Sequence, residues 1–278
     1  MLEQIMNLPV IEKILVNFIK ETMNKNGFQN AIVGVSGGID SALVLTLLQR
    51  ALGSEHTFAL IMPYKSSAKD GIQDAKDICE QLQIQYQEID ITPSVDSYFD
   101  RFPIDKIPND GRILIGNKCA RERMSILYDF SSRKKALVAG TSNKSELLIG
   151  YTTQFGDSAA AFLPIGDLYK TQVFLLARYL NIPEKIIARK PSADLWPNQT
   201  DEGEIGLTYK ELDEILYRWV DLRMKPEEIE KVGHSREKIN RIISMVKSSH
   251  FKRTMAQVCK LHPRTVGIDF RYPRDWNK

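Results

Sequence analysis

The stretch Ala31-Ile32-Val33-Gly34-Val35-Ser36-Gly37-Gly38-Ile39-Asp40-Ser41 constrains this chain more than any other. Ala31 to Val35 read as a short buried strand, and Ser41 to Arg50 (SALVLTLLQR) read as a helix whose first turn begins at Asp40 or Ser41. Between them lies a turn of small residues. Gly37 and Gly38 can take positive φ and let the backbone come close to a ligand. Successive N–H groups can then converge on phosphate oxygens at the positive end of the helix dipole, with the Ser36 and Ser41 hydroxyls as further donors. The expected ligand is a polyphosphate.

Two common nucleotide motifs fail here. A Walker loop needs Gly-x-x-x-x-Gly-Lys-Ser/Thr, which is absent, and a dinucleotide fingerprint needs a third glycine where Ser41 stands. Ser36 to Ser41 instead resemble the Ser-Gly-Gly-x-Asp-Ser signature of the PP-loop ATP pyrophosphatases. That resemblance implies cleavage of ATP between its α and β phosphates, on an adenine nucleotide alpha hydrolase-like fold.

The rest of the chain alternates at the pace of βαβ units. Ile5, Val10, Ile11, Ile14, Leu15, Phe18 and Ile19 give a helix over residues 5–23, with Gly27 as its stop. Strands are expected at Thr57 to Met62, Gln85 to Ile91 and Ala136 to Ala139, and helices at Lys69 to Leu82, Asn117 to Lys134 and Leu168 to Leu180. The pattern predicts an α/β fold, a doubly wound, mostly parallel sheet with helices on both faces, and ligands at the strand C-termini. Tyr98 to Gly111 read as an irregular surface excursion, Lys144 to Gly150 as a helix that soon fails, and Tyr151 to Gly166 as loop lining a site. Pro191 to Gly206, with two prolines, two glycines and four acids, reads as a mobile lid or a disordered connection. Tyr209 to Val220 and Ser235 to Lys247 read as two more helices. No interdomain linker stands out, so residues 1–278 are taken as one domain.

Composition excludes several classes. A hydrophobic content of 43% with 26% charged residues is globular, and a net charge of +3 lacks the concentrated basic face of a nucleic-acid binder. No apolar run approaches a membrane span and the N-terminus lacks the features of a signal peptide, so neither membrane nor nucleic acid is an expected partner and a cytoplasmic protein is expected. Cys79, Cys119 and Cys259 are odd in number and far apart, which suggests reduced thiols, and no two of the four histidines share metal-ligand spacing.

Gly140-Thr141-Ser142-Asn143-Lys144-Ser145-Glu146 follows the fourth expected strand as Ser36 to Ser41 follow the first. Two such turns on one sheet edge face one cleft. Asp40 and Glu146 could then hold a Mg²⁺ that bridges triphosphate oxygens, although a lone carboxylate at a helix start is more often solvated.

Further runs narrow the resemblance to the NAD synthetase family. Gly116-Asn117-Lys118-Cys119-Ala120-Arg121-Glu122-Arg123-Met124 resembles its Gly-Asn-x-x-Ala-Arg-x-Arg-Met, and Gly140 to Glu146 resemble its Gly-Thr-(Ser/Asp)-x-x-x-Glu. Phe155-Gly156-Asp157, Leu163-Pro164-Ile165 with Lys170, Pro191-Ser192-Ala193-Asp194-Leu195 and Lys252-Arg253 fall in the family's order. The resemblance implies ATP-driven amidation of nicotinic acid adenine dinucleotide (deamido-NAD) to NAD through an acyl-adenylate, with Mg²⁺, usually in a homodimer. By position it implies that Ser36, Gly37, Gly38, Ile39, Asp40, Ser41, Thr141, Lys170 and Ser192 contact ATP, and that Asp40 and Glu146 bind Mg²⁺. Asp40 and Lys170 are then the catalytic pair, and Arg121, Gln154, Asp157, His250 and Lys252 contact deamido-NAD. Taken alone, Arg121 and Lys170 are as often ordinary helix-surface cations. The chain departs from the family pattern at Gln154, where a lysine is expected, at Ala161, where an aspartate is expected, and at Phe251, which separates His250 from Lys252.

No sequence before the Ser36 to Ser41 turn is long enough to hold a glutaminase domain, so free ammonia is the expected nitrogen donor, with a separate glutaminase subunit left open. The expected dimer interface is the N-terminal helix and the Asn117 to Lys134 helix. Alternatives are a tRNA-modifying lysidine or thiolation enzyme, a GMP-synthetase-type amidation module, and a non-catalytic nucleotide sensor on the same α/β plan. The first should add a basic RNA-binding domain or paired cysteines, and the last would not need Asp40 and Glu146 on separate strand ends.

Overall fold

A computed structural model describes residues 7–103, 111–192, 200–266 and 268–269. At its centre runs strand β1 (Asn30–Gly34), flanked in parallel by β2 (Thr57–Ile61) and β4 (Ala136–Val138), with β3 (Gln85–Glu88) beyond β2. The sheet order is β3-β2-β1-β4, and Ile32 pairs with Phe58 on one side and Val138 on the other. The chain therefore builds outward from β1 to β3, then returns across the sheet to lay β4 on the opposite side of β1. That reversal makes the C-terminal ends of β1 and β4 the topological switch point, where open α/β sheets bind ligands.

Alternation along the strands decides which helices cover which face. Ala31, Val33, Ala59 and Ile61 point into one core with α1 (Leu8–Asn26), α2 (Ile39–Leu52), α3 (Lys69–Gln81), α7 (Lys170–Tyr179) and α8 (Glu184–Ile187). Ile32, Leu60, Ala136 and Val138 point into the other, against α4 (Thr92–Arg101) and α5 (Gly111–Lys134). The doubly wound expectation is met. In α2, residues 39–48 are buried save Asp40, because this uncharged run lies between the sheet and helices α1 and α7. The Asn7 side chain accepts from the Val10 N–H to start α1, and Gly27, at φ 71°, ends it.

A second apolar cluster gathers α9 (Asp201–Ile205), α10 (Tyr209–Leu216), α11 (Pro226–Lys231) and α12 (Arg236–Ser248) against Ile149 and Tyr169. Ile149 closes the short helix α6 (Lys144–Ile149), so this helical layer packs on the two elements that follow β4 in the cleft. Helix α10 passes into a π-helical turn over Tyr217–Asp221.

Several expectations need correction. Helix α4 overlaps the start of the stretch read as irregular; Ile91, Val95, Phe99 and Phe102 carry the helical spacing that identifies it, and residues 104–110 lie outside the described residues. Helix α11 was not expected, and α5 begins six residues before Asn117. The Pro191 to Gly206 span is not lid throughout. Thr200 caps α9, the Asp201 N–H donates to the Pro191 carbonyl at 3.0 Å, and Asp201 and Ile205 are buried; residues 193–199 lie outside the described residues. Cys79 and Cys119 are buried free thiols and Cys259 is an exposed one. Among the described residues no helix is long and apolar enough to cross a membrane.

Candidate active site

A cleft of about 1230 Å³ opens at the ends of β1, β2 and β4, lined by both expected turns. It exceeds the ~300–1,000 Å³ of an ordinary small-molecule pocket and has room for two nucleotides.

The turn after β1 is held by its own hydroxyls. Ser41 Oγ donates to the Gly38 carbonyl at 2.9 Å and accepts the Ser36 N–H at 3.2 Å, while Ser36 Oγ accepts the Gly38 N–H at 3.2 Å. Gly37 has φ +78°, and a methyl group there would overlap the Gly71 carbonyl oxygen at the start of α3, so this position requires glycine twice over. Gly38, in extended backbone with ψ 159°, is the N-cap of α2, and Asp40 sits in the first helical turn. Helix α2 thus starts at Ile39, slightly earlier than read from sequence.

Asp40 and Glu146 meet on Lys170. Lys170 Nζ lies 2.5 Å from Asp40 Oδ2 and 3.1 Å from Glu146 Oε1, with its side chain 2% exposed. It also stands 5.1 Å from the centre of the Tyr209 ring. Burial alone would depress its ammonium, but Asp40 and then Glu146 overcome that and hold it firmly protonated. Asn143 joins the two carboxylates. Its Nδ2 donates to Asp40 Oδ1 at 2.9 Å, and its Oδ1 accepts the Glu146 N–H at 3.0 Å as the N-cap of α6. Burial pushes the Glu146 carboxyl up to about 7; Lys170 opposes the rise, and Asp40 and Asp201 add to it.

Asp201 is a third carboxylate at this point, which the sequence left inside the lid. It is 4% exposed, accepts from Tyr209 Oη at 3.1 Å through Oδ2, and leaves Oδ1 buried without a hydrogen-bond partner. The neighbouring Tyr151 hydroxyl has one proton, and it goes to Glu204 at 2.6 Å. Burial raises the Asp201 carboxyl against the pull of Lys170.

Of the other expected site residues, Thr141, Ser192, Asp157 and Lys252 line the cleft with Ser36, Gly38, Ile39, Asp40, Ser41, Glu146 and Lys170. Asp157 accepts the Thr153 N–H at 2.8 Å, and Lys252 Nζ donates to the Gly150 and Thr152 carbonyls at 2.8 Å each, which ties the tail to the loop after α6. Arg121, Gln154 and His250 are not brought to the cleft wall. Arg121 is exposed, whereas Asn117, Ala120, Arg123, Met124 and Leu127 form the stripe of α5 that faces the cleft, with Arg123 Nε donating to the Met62 carbonyl at 2.9 Å. Gln154 Nε2 reaches only the Phe251 carbonyl, at 3.5 Å. Arg253 is a clamp on the ends of α6 and α12, donating to the carbonyls of Leu147, Leu148 and Val246.

A glycine-rich strand–turn–helix junction joined to a second turn by one buried lysine narrows the families that can own this cleft, and comparison with known proteins decides among them. The family model described as NAD synthase matches residues 10–256. This chain belongs to the NAD synthase family. It is 47% identical over 272 residues to an NH3-dependent NAD+ synthetase of Trichlorobacter lovleyi, with 98% of each chain covered. The solved NH3-dependent NAD synthetase of Campylobacter jejuni, bound to nitrate, superposes with a TM-score of 0.77 at 36% identity, covering 92% of this chain and all of that one. An NMN synthetase structure from Francisella tularensis superposes with a TM-score of 0.81 at 32% identity, with the same coverage. The NAD synthase family match spans both turns, the three carboxylates and Lys170.

The donor set suits Mg²⁺. Asp40 and Glu146 both contact the Lys170 ammonium and Asp201 lies near enough to act on them through its charge, with its Oδ1 oxygen buried and unpartnered, so the pocket favours further positive charge and offers hard oxygen donors. Among the described residues no group of three or more His, Cys, Asp or Glu stands close enough to form a complete cage. Mg²⁺ commonly takes one or two carboxylates and completes its shell with phosphate and water.

Proposed function

We propose that this chain catalyses the ATP-dependent amidation of deamido-NAD to NAD with ammonia, releasing AMP and pyrophosphate; it is a C–N ligase. Full-length similarity to NH3-dependent NAD+ synthetases supports the reaction. The observation that carries it at the site is the convergence of Asp40 and Glu146, from the two turns at the sheet's switch point, on buried Lys170.

A carboxylate is a poor electrophile toward ammonia, so its oxygen first attacks the α-phosphorus of ATP. The new C–O–P linkage is an acyl-adenylate, and the bond to the β-phosphate breaks as pyrophosphate leaves. Ammonia then attacks the acyl carbon, loses a proton and displaces AMP. The 36–41 turn, which lines the cleft at the start of α2, is the seat for the departing pyrophosphate at the positive end of that helix, and Lys170 stands where negative charge accumulates. Asp40 and Glu146, which share Lys170 in the cleft, would hold Mg²⁺, and the ion would offset phosphate charge. Thr141 and Ser192 line the ATP side, Asp157 and Lys252 the dinucleotide side, and Arg123 extends from the α5 stripe beside it. Holding both nucleotides in one cleft supplies the positional contribution.

The acceptor is the point to test, since one structural relative is named for NMN. Pyrophosphate release and amide product should be measured with Mg²⁺, ATP and ammonium, offering deamido-NAD, nicotinic acid mononucleotide or xanthosine monophosphate. Release and NAD formation should be greatest with deamido-NAD. Preference for the mononucleotide would move the chain toward the NMN-named relative, and release only with xanthosine monophosphate would overturn the reading.

A homodimer is part of this proposal. Val10, Ile14 and Phe18 leave an apolar strip exposed on α1, and Ile113, Leu114 and Tyr128 do so on α5. The two helices lie on opposite faces of the sheet, but α5 packs on β4 and Phe18 of α1 stacks near Phe162, whose neighbour Ala161 donates to the Val138 carbonyl of β4. One interface that used both would wrap the β4 edge.

A further inference from the structure

We propose that Asp213 is a positioning residue for the amidation: one buried carboxylate that sets the spacing of Glu146 and Lys170 by binding the residue next to each. Asp213 lies on α10, in the helical layer, and is fully buried. Its Oδ1 accepts from Ser145 Oγ at 2.5 Å. Its Oδ2 accepts from the Thr171 N–H and from Thr171 Oγ1, at 2.8 Å each. Ser145 Oγ in turn accepts the Lys170 N–H at 2.9 Å. Ser145 precedes Glu146 at the start of α6, and Thr171 follows Lys170 at the start of α7. Each carboxylate oxygen thus holds one helix start, and a single side chain gauges the distance between them.

The chemistry of the group points to this role. Leu212, Ile215 and Leu216, close to it on α10, are fully buried apolar residues, so the carboxylate carries the cost of a buried charge that only its hydrogen bonds offset. All three donors on Asp213 are neutral hydroxyl or amide groups, and what the carboxylate supplies is two acceptor atoms aimed in two directions. An amide substitutes only in part. Asparagine has one acceptor oxygen; kept on the Thr171 N–H, it turns its NH₂ to Ser145 Oγ, which can accept it but loses the acceptor for its own proton. The site tolerates little slack, since a misplacement of about 1 Å can cost ~10²-fold in rate. A second tie runs parallel to the first. Asp221, on the π-helical turn, accepts from Lys144 Nζ at 2.8 Å and from Tyr169 Oη, the residues one step before Ser145 and Lys170. The helical layer grips both helix starts from below while their next residues face the cleft.

This role rests on the reaction proposed above, and its test separates the two. Steady-state pyrophosphate release with deamido-NAD, ATP, Mg²⁺ and ammonium should be compared for the native enzyme, Asp213→Asn, Ser145→Ala and the double variant, alongside thermal unfolding of each. Asp213→Asn should lose 10- to 100-fold in kcat while KM for ATP and for ammonium stays within about 3-fold. The double variant should lose less than the product of the two single losses, because the Ser145–Asp213 bond is already disturbed in either single variant. An Asp213→Asn enzyme that melts earlier but keeps native kcat while folded would make Asp213 a stability residue and overturn the role alone, as would losses in kcat that multiply independently. Should Asp213→Asn not fold, Ser145→Ala carries the same readout, and native kcat in that variant also overturns the role. A native enzyme that releases no pyrophosphate with deamido-NAD would overturn the reaction and, with it, the role.

Discussion

Lys170 Nζ lies 2.5 Å from Asp40 Oδ2, although the two residues stand in the first turns of different helices, 130 positions apart in the chain. The lysine is the one ammonium shared by Asp40 and Glu146, and Asp201 stands close by with an unpartnered oxygen. Lys170→Met should therefore leave carboxylates facing each other. Turnover should drop by at least about 10²-fold, as expected for loss of a preorganised cation at developing charge. Unfolding stability without ligands should fall by about 3 kcal/mol, in the range seen when one partner of a buried pair is removed. Mg²⁺ should raise the melting temperature of this variant more than that of the native protein, since only the variant lacks a competing cation. Equal shifts in both proteins would contradict a shared carboxylate site.

The turn after β1 predicts an asymmetry between its glycines. Gly37 sits at φ +78° against the Gly71 carbonyl, while a Cβ on Gly38 would meet only the Ser36 hydroxyl, at 3.3 Å. Gly37→Ala should cost at least about 2 kcal/mol, combining left-handed backbone strain with a backbone overlap, and should abolish ATP binding with it. Gly38→Ala should cost well under about 1 kcal/mol by the same reasoning. Denaturant unfolding of the two variants checks the order; a reversed order would show that the turn is not held as described.

How much of this could be read before the structure depends on whether the partners are contiguous. Ser36 to Ser41 are consecutive, and their strand-turn-helix context fixes which atoms face a ligand. Lys170 carries no local sign of its burial: the apolar spacing of its helix is equally that of a surface element, and only register with other motifs singled it out. Asp201 was hidden because an acid- and proline-rich span reads as solvated, while its burial comes from packing of α9 against a distant layer. Arg123 was within reach. It follows Ala120 by three residues and precedes Met124 and Leu127, apolar residues at helical spacing with Ala120, whereas Arg121 falls off that stripe.

Asp213 should leave a mark on the pH dependence of stability. Burial pushes its carboxyl up to about 6, above the usual carboxylate range, against the donors from Ser145 and Thr171. A carboxyl raised on folding takes up a proton in the folded state first, so its favourable contribution is complete below the unfolded pKa and is lost as pH rises through about 6. The full swing is on the order of 3 kcal/mol. The stability difference between the native protein and Asp213→Asn, by urea unfolding, should move in favour of the native protein by about 1 kcal/mol between pH 7.5 and pH 5. A difference that is flat across this range, or moves the other way, contradicts the burial described.

The exposed strip of α1 predicts self-association. Ile14 and Phe18, 58% and 41% exposed, should be covered in the dimer. Sedimentation velocity of the native protein should give a dimer at micromolar concentration, and Ile14→Lys with Phe18→Lys should shift it to monomer. A native monomer at those concentrations would remove α1 from any interface.

The central claim is that a carboxylate of deamido-NAD attacks the α-phosphorus of ATP in the cleft between the two turns. Supplying deamido-NAD with ¹⁸O at both carboxylate oxygens, together with ATP, Mg²⁺ and ammonium, and reading the isotope content of AMP and pyrophosphate is the decisive experiment. The account predicts one ¹⁸O atom in the phosphate of AMP for each NAD formed, and none in pyrophosphate. Unlabelled AMP, or label in pyrophosphate or free phosphate, would contradict an acyl-adenylate route.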